Sequence, residues 1–496
     1  MGSSVDRDDF TEAEARRFDE RLQTSLAMLQ TLLRQPGFGS GEPSLGAELE
    51  TYIADGDGRV LPINRQLMAA LQDPQLQLEL NRFNIEYNLT PLPLAGSPLQ
   101  ALERQLCQAL ARLQKAAAAY QGQIIPIGIL PTLRRDDLGP RAMTDLPRYR
   151  ALERALKRLR GEDFDVEIHG VDSVHVSSAH VVLEGANTSF QVHLRVTPTR
   201  YAETFNTVQL VTPLVLALAA NSPLFLQRRL WDETRIALFP QSVDCRAHGR
   251  GRWQQPSRVA FGQGWMRRSA WELFAEAVAL HPPLIPRNSD TPPEAWCPGE
   301  DAPPLAELRL HMSTIWSWNR AVYDPVDGGH LRVEIRSLPA GPTAQDMVAN
   351  TALMLGLVLG MRDDVERWVS AIPFRYAEHN FYRAARAGLD ACLLWPHRQH
   401  HRLVEVPVVE LLERLLPYAW SGLRAAGVTD ADVGRYLAVI EERLATRTSG
   451  ARWQRRMLAQ FEQRGVQRLE ACRLVVQRYC EAVATNQPVA HWSTEV

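Results

Sequence analysis

The residues best suited to chemistry sit on short stretches where polar and apolar side chains alternate. Gly46-Ala-Glu-Leu-Glu50 carries two glutamates two positions apart, and Glu79-Leu-Asn-Arg-Phe-Asn-Ile-Glu-Tyr-Asn88 carries Glu86 between Asn84 and Asn88. Alternate residues of a strand share a face. Glu48 and Glu50 therefore stand side by side, and Leu49, Ile85 and Tyr87 point the other way. Neighbouring carboxylates repel unless a cation lies between them, so each such face is either open to water or a holder for a divalent metal.

The pattern returns twice. In Ser189 to Val196, Gln191, His193 and Arg195 take one face, and in Leu331 to Leu338, Arg332, Glu334 and Arg336 do. If all four stretches join one sheet, their polar faces add up to a charged concave surface. Hard oxygen ligands of this kind select Mg²⁺ or Mn²⁺ over zinc, and arginines beside them neutralise phosphate charge as it shifts during transfer. There is no Walker P-loop or Gly-x-Gly-x-x-Gly to cradle phosphate in another way.

Helices must back such a sheet. Phe18, Leu22, Leu26, Leu29, Leu32 and Leu33 repeat at helical spacing and predict an amphipathic helix ending near Pro36-Gly37. A helical spacer separates the two acidic stretches, and a turn is expected at Asp55 to Arg59, with Gly56 and Gly58 supplying positive φ. Leu99 to Tyr120 reads as a long helix packed on the sheet, Gln123 to Leu130 as a buried strand, Arg148 to Leu159 as a helix with a solvated basic side, and Phe205 to Asn221 as a buried helix. The Pro-, Gly- and Trp-rich stretch from Arg246 to Pro304 reads as loops around one helix (Ser269 to Leu280), a composition that suits a cover over a site. From Ala344 onward the chain reads as almost wholly helical.

Composition sets outer bounds. A chain of 496 residues with 45% hydrophobic and 23% charged content is that of a soluble globular protein. A net charge of −2 and the lack of a long basic run argue against nucleic acid as a partner. The apolar run Leu210 to Ala220 is too short to cross a membrane, the polar N-terminus is unlike a signal peptide, and six scattered cysteines suit reduced thiols in a cytoplasm. His397, His400 and His401, Cys245, and the tryptophans at 253, 265, 271, 296, 316 and 318 read as a solvated stretch, a loop cysteine and mostly packing, respectively.

Five motifs in order resemble the glutamate–cysteine ligase family: Gly-x-Glu-x-Glu, Asn-Ile-Glu-Tyr-Asn, Gln-Val-His-Leu, Ala-Asn-Ser-Pro and Val-Glu-Ile-Arg. The likeness is closest to its bacterial and plant-type carboxylate–amine ligases, within the glutamine synthetase-like superfamily. It covers roughly Leu45 to Val358. The resemblance implies an α+β fold, with a curved antiparallel sheet funnel backed by helices. It also implies ATP-dependent chemistry, in which a substrate carboxylate becomes an acyl phosphate and an amine displaces phosphate to give an amide, such as a γ-glutamyl bond. By the same resemblance Glu48, Glu50, Glu86 and Glu334 hold metal, and Gln191, His193 and Arg336 meet the nucleotide. Arg148, Tyr149, Asn221 and Arg235 meet substrate, and Arg235 and Arg336 act in catalysis. Two positions depart from the family pattern: no histidine follows Gly128, and Trp318 or Asn319 stands where relatives have the aspartate of Trp-Trp-Asp.

The expectation is an N-terminal helix (1–40), a catalytic domain (41–375) and a helical C-terminal extension (376–496). ATP and Mg²⁺ or Mn²⁺ are the expected cofactors. Small carboxylate and amine substrates, amino acids foremost, are the expected partners, without nucleic acid or membrane and with homo-oligomerisation left open. A phosphotransferase of the same superfamily and a catalytically inactive nucleotide-binding homologue are the alternatives.

Overall fold

The computed structural model describes residues 5–246, 255–296, 302–397, 400 and 402–495; Trp253, Cys297 and His401 fall outside them. In chain order the strands are β1 (Ser44–Asp55), β2 (Leu76–Leu78), β3 (Asn84–Asn88), β4 (Leu92–Pro93), β5 (Gly122–Ile125), β6 (Phe164–His169) and β7 (Ser173–Ser178). They continue with β8 (Phe190–Val196), β9 (Leu224–Phe225), β10 (Arg228–Arg229), β11 (Asn319–Asp324), β12 (His330–Ile335), β13 (Cys392–Pro396) and β14 (Leu403–Pro407).

One eight-stranded antiparallel sheet runs β11-β12-β8-β1-β3-β2, with β4 and β5 also paired to β1. All four alternating stretches thus lie in the same sheet. Glu50 sits opposite Glu86, Glu48 lies between Asn88 and Gln191, and His193 lies between Gly46 and Glu334. Because side-chain parity is carried across each pairing, the acidic and basic residues fall on one face. The opposite face is apolar and fully buried at Leu45, Leu49, Ile85, Phe190, Val192, Leu194, Leu331, Val333 and Ile335.

That apolar face shares its core with helices Tyr201–Ala219 and Ala344–Met361, both hydrophobic around nearly their whole circumference. The Tyr201 hydroxyl donates to the Arg332 carbonyl on β12 at 2.9 Å. Helix Phe374–Ala387 packs on the first of these helices and helix Val408–Ala425 on the second. At the second contact the backbones touch. A Cβ added to Gly360 would come within 2.0 Å of the Tyr418 carbonyl oxygen, and one on Gly422 within 2.3 Å of that of Gly356. Helix Glu12–Leu32 begins with a capping box, in which Thr11 N–H donates to Glu14 at 2.8 Å and Glu14 N–H donates to Thr11 Oγ1 at 3.2 Å. It buries the expected Phe18, Leu22, Leu26, Leu29 and Leu32.

Several sequence expectations change. The run from Gln123 stays a strand only to Ile125, because Pro126 has no N–H for the ladder; beyond it the chain is irregular. Of the two turn glycines, Gly58 alone has positive φ (72°). The C-terminal part is not wholly helical: β13 and β14 form a hairpin in which Leu393, Trp395 and Val406 are buried. Pro198–Ala219 and Ala344–Ala371 are long and apolar enough to cross a membrane, which the reading of Leu210 to Ala220 missed. Their apolar windows are 89% and 83% buried within the fold, as in core helices.

Two histidines in this core carry a pH dependence. Burial holds His311 down at about 4 and His281 at about 3, with the Arg258 charge nearby adding to the effect. His311 Nε2 lies 3.1 Å from the Ala277 carbonyl, which fixes the neutral tautomer with its proton there. In the unfolded chain both histidines take protons near pH 6.5. Stability is therefore fully present above that value and falls as pH drops toward 4. His311→Gln, measured by urea unfolding between pH 6.5 and 4, is expected to flatten this loss by up to about 1.4 kcal/mol per pH unit.

Candidate active site

A cavity of about 470 Å³ opens over the polar face of the sheet. Glu48, Glu50, Glu79, Glu86, Gln191 and Arg336 form its floor, and Glu184, Arg148, Tyr149, Trp316 and Arg320 stand around it. The β1–β8 and β1–β3 registers bring the floor together. Glu50 accepts hydrogen bonds from Ser189 N–H at 2.7 Å and Gln191 Nε2 at 2.8 Å, and Gln191 Oε1 accepts from Arg336 at 2.5 Å. Glu86 accepts from Asn88 Nδ2 at 2.6 Å. At the rim, Arg148 donates to Ser313 Oγ at 3.0 Å and the Tyr149 hydroxyl donates to the Leu78 carbonyl at 2.6 Å.

Charge is unevenly balanced across this face. Arg320 grips both oxygens of Glu334, at 2.5 and 3.0 Å, and Arg336 lies 3.4 Å from it. His193 Nε2 is 3.2 Å from Glu48 and 3.9 Å from Glu334. The 3.2 Å approach puts the imidazole in contact with the carboxylate, an ion pair when the ring is protonated. Burial would raise both carboxyls, but the cations outweigh it. His193 brings Glu48 down to about 2, and Arg320 and Arg336 hold Glu334 well below the usual carboxylate range.

Among the described residues, fewer cations reach the other half of the face. Burial first, then the charges of Glu48 and Glu50, push Glu86 up to about 7. Burial and Glu50 push Glu184 up to about 8. Glu79 is raised well above the usual range by burial and by Glu86, Glu50 and Glu184, and Glu50 is raised by burial despite Arg336.

Among the described residues, two groups have ligand atoms within 4.8 Å of one another: Glu50, Glu79 and Glu86, and Glu48, His193 and Glu334. The first fits a hard divalent cation best. It offers three carboxylates, raised by burial first and, at Glu79 and Glu86, by neighbouring carboxylates as well, a repulsion that a bound cation would relieve. In the second, two arginines already compensate Glu334.

Of the residues singled out in the sequence, Glu48, Glu50, Glu86, Gln191, Arg336, Arg148 and Tyr149 line the cavity. His193 and Glu334 lie in the ion-pair network directly beside it. Asn221 and Arg235 do not reach the cavity. The Asn221 side chain is fully buried between the Ala340 carbonyl, the Tyr479 hydroxyl and Gln454. Arg235 pairs with buried Glu233 at 2.8 Å and donates to the Ser337 carbonyl at 2.6 Å. That places it behind Arg336, in a supporting position. Among the described residues of 246–304, Phe261 and Met266 hydrogen-bond to Gln209 and Asn206 of helix Tyr201–Ala219, helix Trp271–Leu280 packs on helix Glu12–Leu32, and none lines the cavity. Glu79, Glu184 and Arg320 were missed as site residues. Glu184 had one signal, a lone carboxylate in the apolar run Val181-Val-Leu-Glu-Gly-Ala.

The antiparallel sheet with one acidic face, backed by buried helices, is the α+β architecture that the motifs had suggested. Residues 44–269 match the family model described as glutamate-cysteine ligase family 2 (GCS2), so the family resemblance holds over that region. The match includes Glu48, Glu50, Glu86, Gln191 and His193 and ends before Glu334 and Arg336. A glutamate–cysteine ligase from Francisella tularensis, solved in complex with AMP, has the same fold: TM-score 0.54, 9% identity, and 90% of each chain covered. A bifunctional glutathione synthetase from Pasteurella multocida has TM-score 0.42 at 12% identity, over 93% of this chain and 55% of its own. The ligase PafA, solved with the ubiquitin-like protein Pup, has TM-score 0.40 at 11% identity, over 86% of this chain and 70% of its own. No curated protein matches the sequence.

The charge asymmetry has a direct test. Mn²⁺ titrated into the protein and followed by electron paramagnetic resonance should lose affinity at least about tenfold in Glu86→Gln, as expected when a ligand is removed. Glu334→Gln should weaken it less, because that carboxylate is already held by arginine.

Proposed function

We propose that the protein is an ATP- and Mg²⁺-dependent carboxylate–amine ligase that makes an amide bond through an acyl phosphate. The observation that carries this reading is the single sheet face that joins a cation-poor glutamate cluster, in the region matched by the ligase family model, to a half-buried arginine pair. Glu50, Glu79 and Glu86 would hold the metal, with Glu48 beside them. Bound there, it would neutralise the nucleotide's phosphate oxygens. Arg336 is the group placed to meet phosphoryl charge, since Gln191 and Glu334 hold its guanidinium over the floor. Arg235, through Ser337, acts as a positioning residue for Arg336. Arg148 and Tyr149 at the rim suit a substrate carboxylate.

In this reaction a carboxylate oxygen of the acid attacks the γ-phosphorus of ATP and ADP leaves. The amine nitrogen then attacks the acyl carbon, gives up a proton, and phosphate departs with the carboxylate oxygen. The substrates are small molecules, amino acids foremost. The free cysteines among the described residues fit a reducing cytoplasm.

A second reading, a nucleotide-binding homologue without ligase activity, draws on the double engagement of Glu334 by Arg320 and Arg336. Amine-dependent ADP formation separates the two readings. With ¹⁸O in the acid's carboxylate, one label per turnover should appear in the released phosphate; amide formed with unlabelled phosphate would exclude the acyl-phosphate route. Arg336→Lys keeps the charge and loses the fork. Turnover is expected to fall by roughly 10- to 100-fold, more than nucleotide affinity does, because the contact strengthens as the phosphoryl group transfers. Equal turnover in variant and parent would remove Arg336 from the mechanism.

A further inference from the structure

Beside the acidic floor the cavity is also lined by apolar side chains, those of Leu76, Leu80, Leu152, Val181, Val243 and Trp316. Val5 lines it too, from an otherwise charged N-terminal segment. Val5 is 6% exposed and belongs to the same hydrophobic cluster as Leu76, Leu80, Val181 and Val243, whereas Asp6, Arg7 and Asp9 around it are exposed.

The segment is tethered close by. Asp8 pairs with Arg150 at 2.6 Å and with Arg154 at 3.2 Å, both on helix Pro147–Arg160, which also carries Arg148 and Tyr149. Asp6 pairs with Arg287 at 3.4 Å. These contacts range from half-buried to exposed, and ion pairs near the surface hold weakly. An aliphatic side chain therefore occupies the apolar part of the cavity on a tether that can let go.

Resting on the ligase reading, we propose that this apolar part of the cavity is the side-chain subsite of an amino acid substrate, that the side chain it takes is aliphatic or aromatic, and that Val5 holds its place in the free protein. Chemistry supports the assignment on both sides. A charged or amide side chain laid against these apolar side chains loses water without gaining a partner from them. A carboxylate side chain would in addition face the glutamate floor. Each methylene buried against the apolar side chains should tighten binding roughly fourfold. Arg148 at the rim supplies a partner for the carboxylate of an amino acid bound in this orientation.

The test uses the full-length protein and reads binding, not turnover. In calorimetric titrations with Mg²⁺-ATP present, L-leucine, L-norleucine and L-phenylalanine should bind at least about tenfold tighter than L-glutamine, L-aspartate or L-lysine, as expected for two or more buried methylenes. Adding L-leucine should speed hydrogen–deuterium exchange in residues 5–10 as Val5 is displaced. Asp8→Asn, at a half-buried site away from the floor, should tighten L-leucine several-fold without changing Mg²⁺-ATP affinity. Mg²⁺-ATP binding with no preference for the apolar amino acids overturns the subsite and leaves the ligase reading standing. Apolar amino acids that bind and release residues 5–10 in a protein that does not bind Mg²⁺-ATP support the subsite and overturn the ligase reading. Leucine binding with exchange in residues 5–10 unchanged overturns the role of Val5.

Discussion

Glutamates brought together on one buried face need positive charge, and the chain supplies it to only part of them. His193, Arg320 and Arg336 are committed to Glu48 and Glu334. Glu50, Glu79, Glu86 and Glu184 share what remains of Arg336 and are driven toward protonation by burial and by one another. Such an arrangement is costly to fold unless a ligand completes it. It therefore persists only because the rest of the protein forces it: the strand registers fix the carboxylates side by side, and the apolar back of the sheet is anchored in buried helices.

The scaffold that enforces this runs through the whole chain. Helix Phe374–Ala387 and helix Val408–Ala425 complete the core behind the sheet. Further on, Tyr479 donates to the Pro126 carbonyl at 2.8 Å, and the Asn221 side-chain amide donates to the Tyr479 hydroxyl at 2.8 Å. Residues far apart in sequence thus fix the turn that follows β5. The N-terminal helix meets helix Ala306–Met312, where Arg21 and Glu307 form a buried pair at 3.4 Å.

The sheet and most of its acidic face were legible in the sequence because strand parity is a local property that pairing preserves. Glu48, Glu50, Glu86, His193 and Glu334 follow from alternation alone. Asn221 and Arg235 were placed by motif, and motif position does not decide which way a side chain turns. Both turn inward to satisfy buried carbonyls and a buried glutamate. Glu184 sits on a short 3-10 turn with no period to reveal its face, and Glu79 falls in the connection between β2 and β3. Arg320 is the cross-strand neighbour of Glu334, a pairing that exists only once β11 and β12 are in register. The β13–β14 hairpin was lost among helices because its strands are short.

The backbone contact between helices Ala344–Met361 and Val408–Ala425 gives the site a mechanical character. Where glycines let two helices touch without side chains, the spacing is set by covalent geometry rather than by adaptable packing, and there is nothing left to compress. The core behind the sheet behaves as an anvil. Movement that accommodates a ligand must come from the opposite jaw, formed by helix Pro147–Arg160, the Val181–Ala186 turn and the charged segment led by Val5. Substitutions that soften the anvil would misalign the glutamates even while leaving every one of them in place, whereas the jaw can vary in sequence and still close on something new.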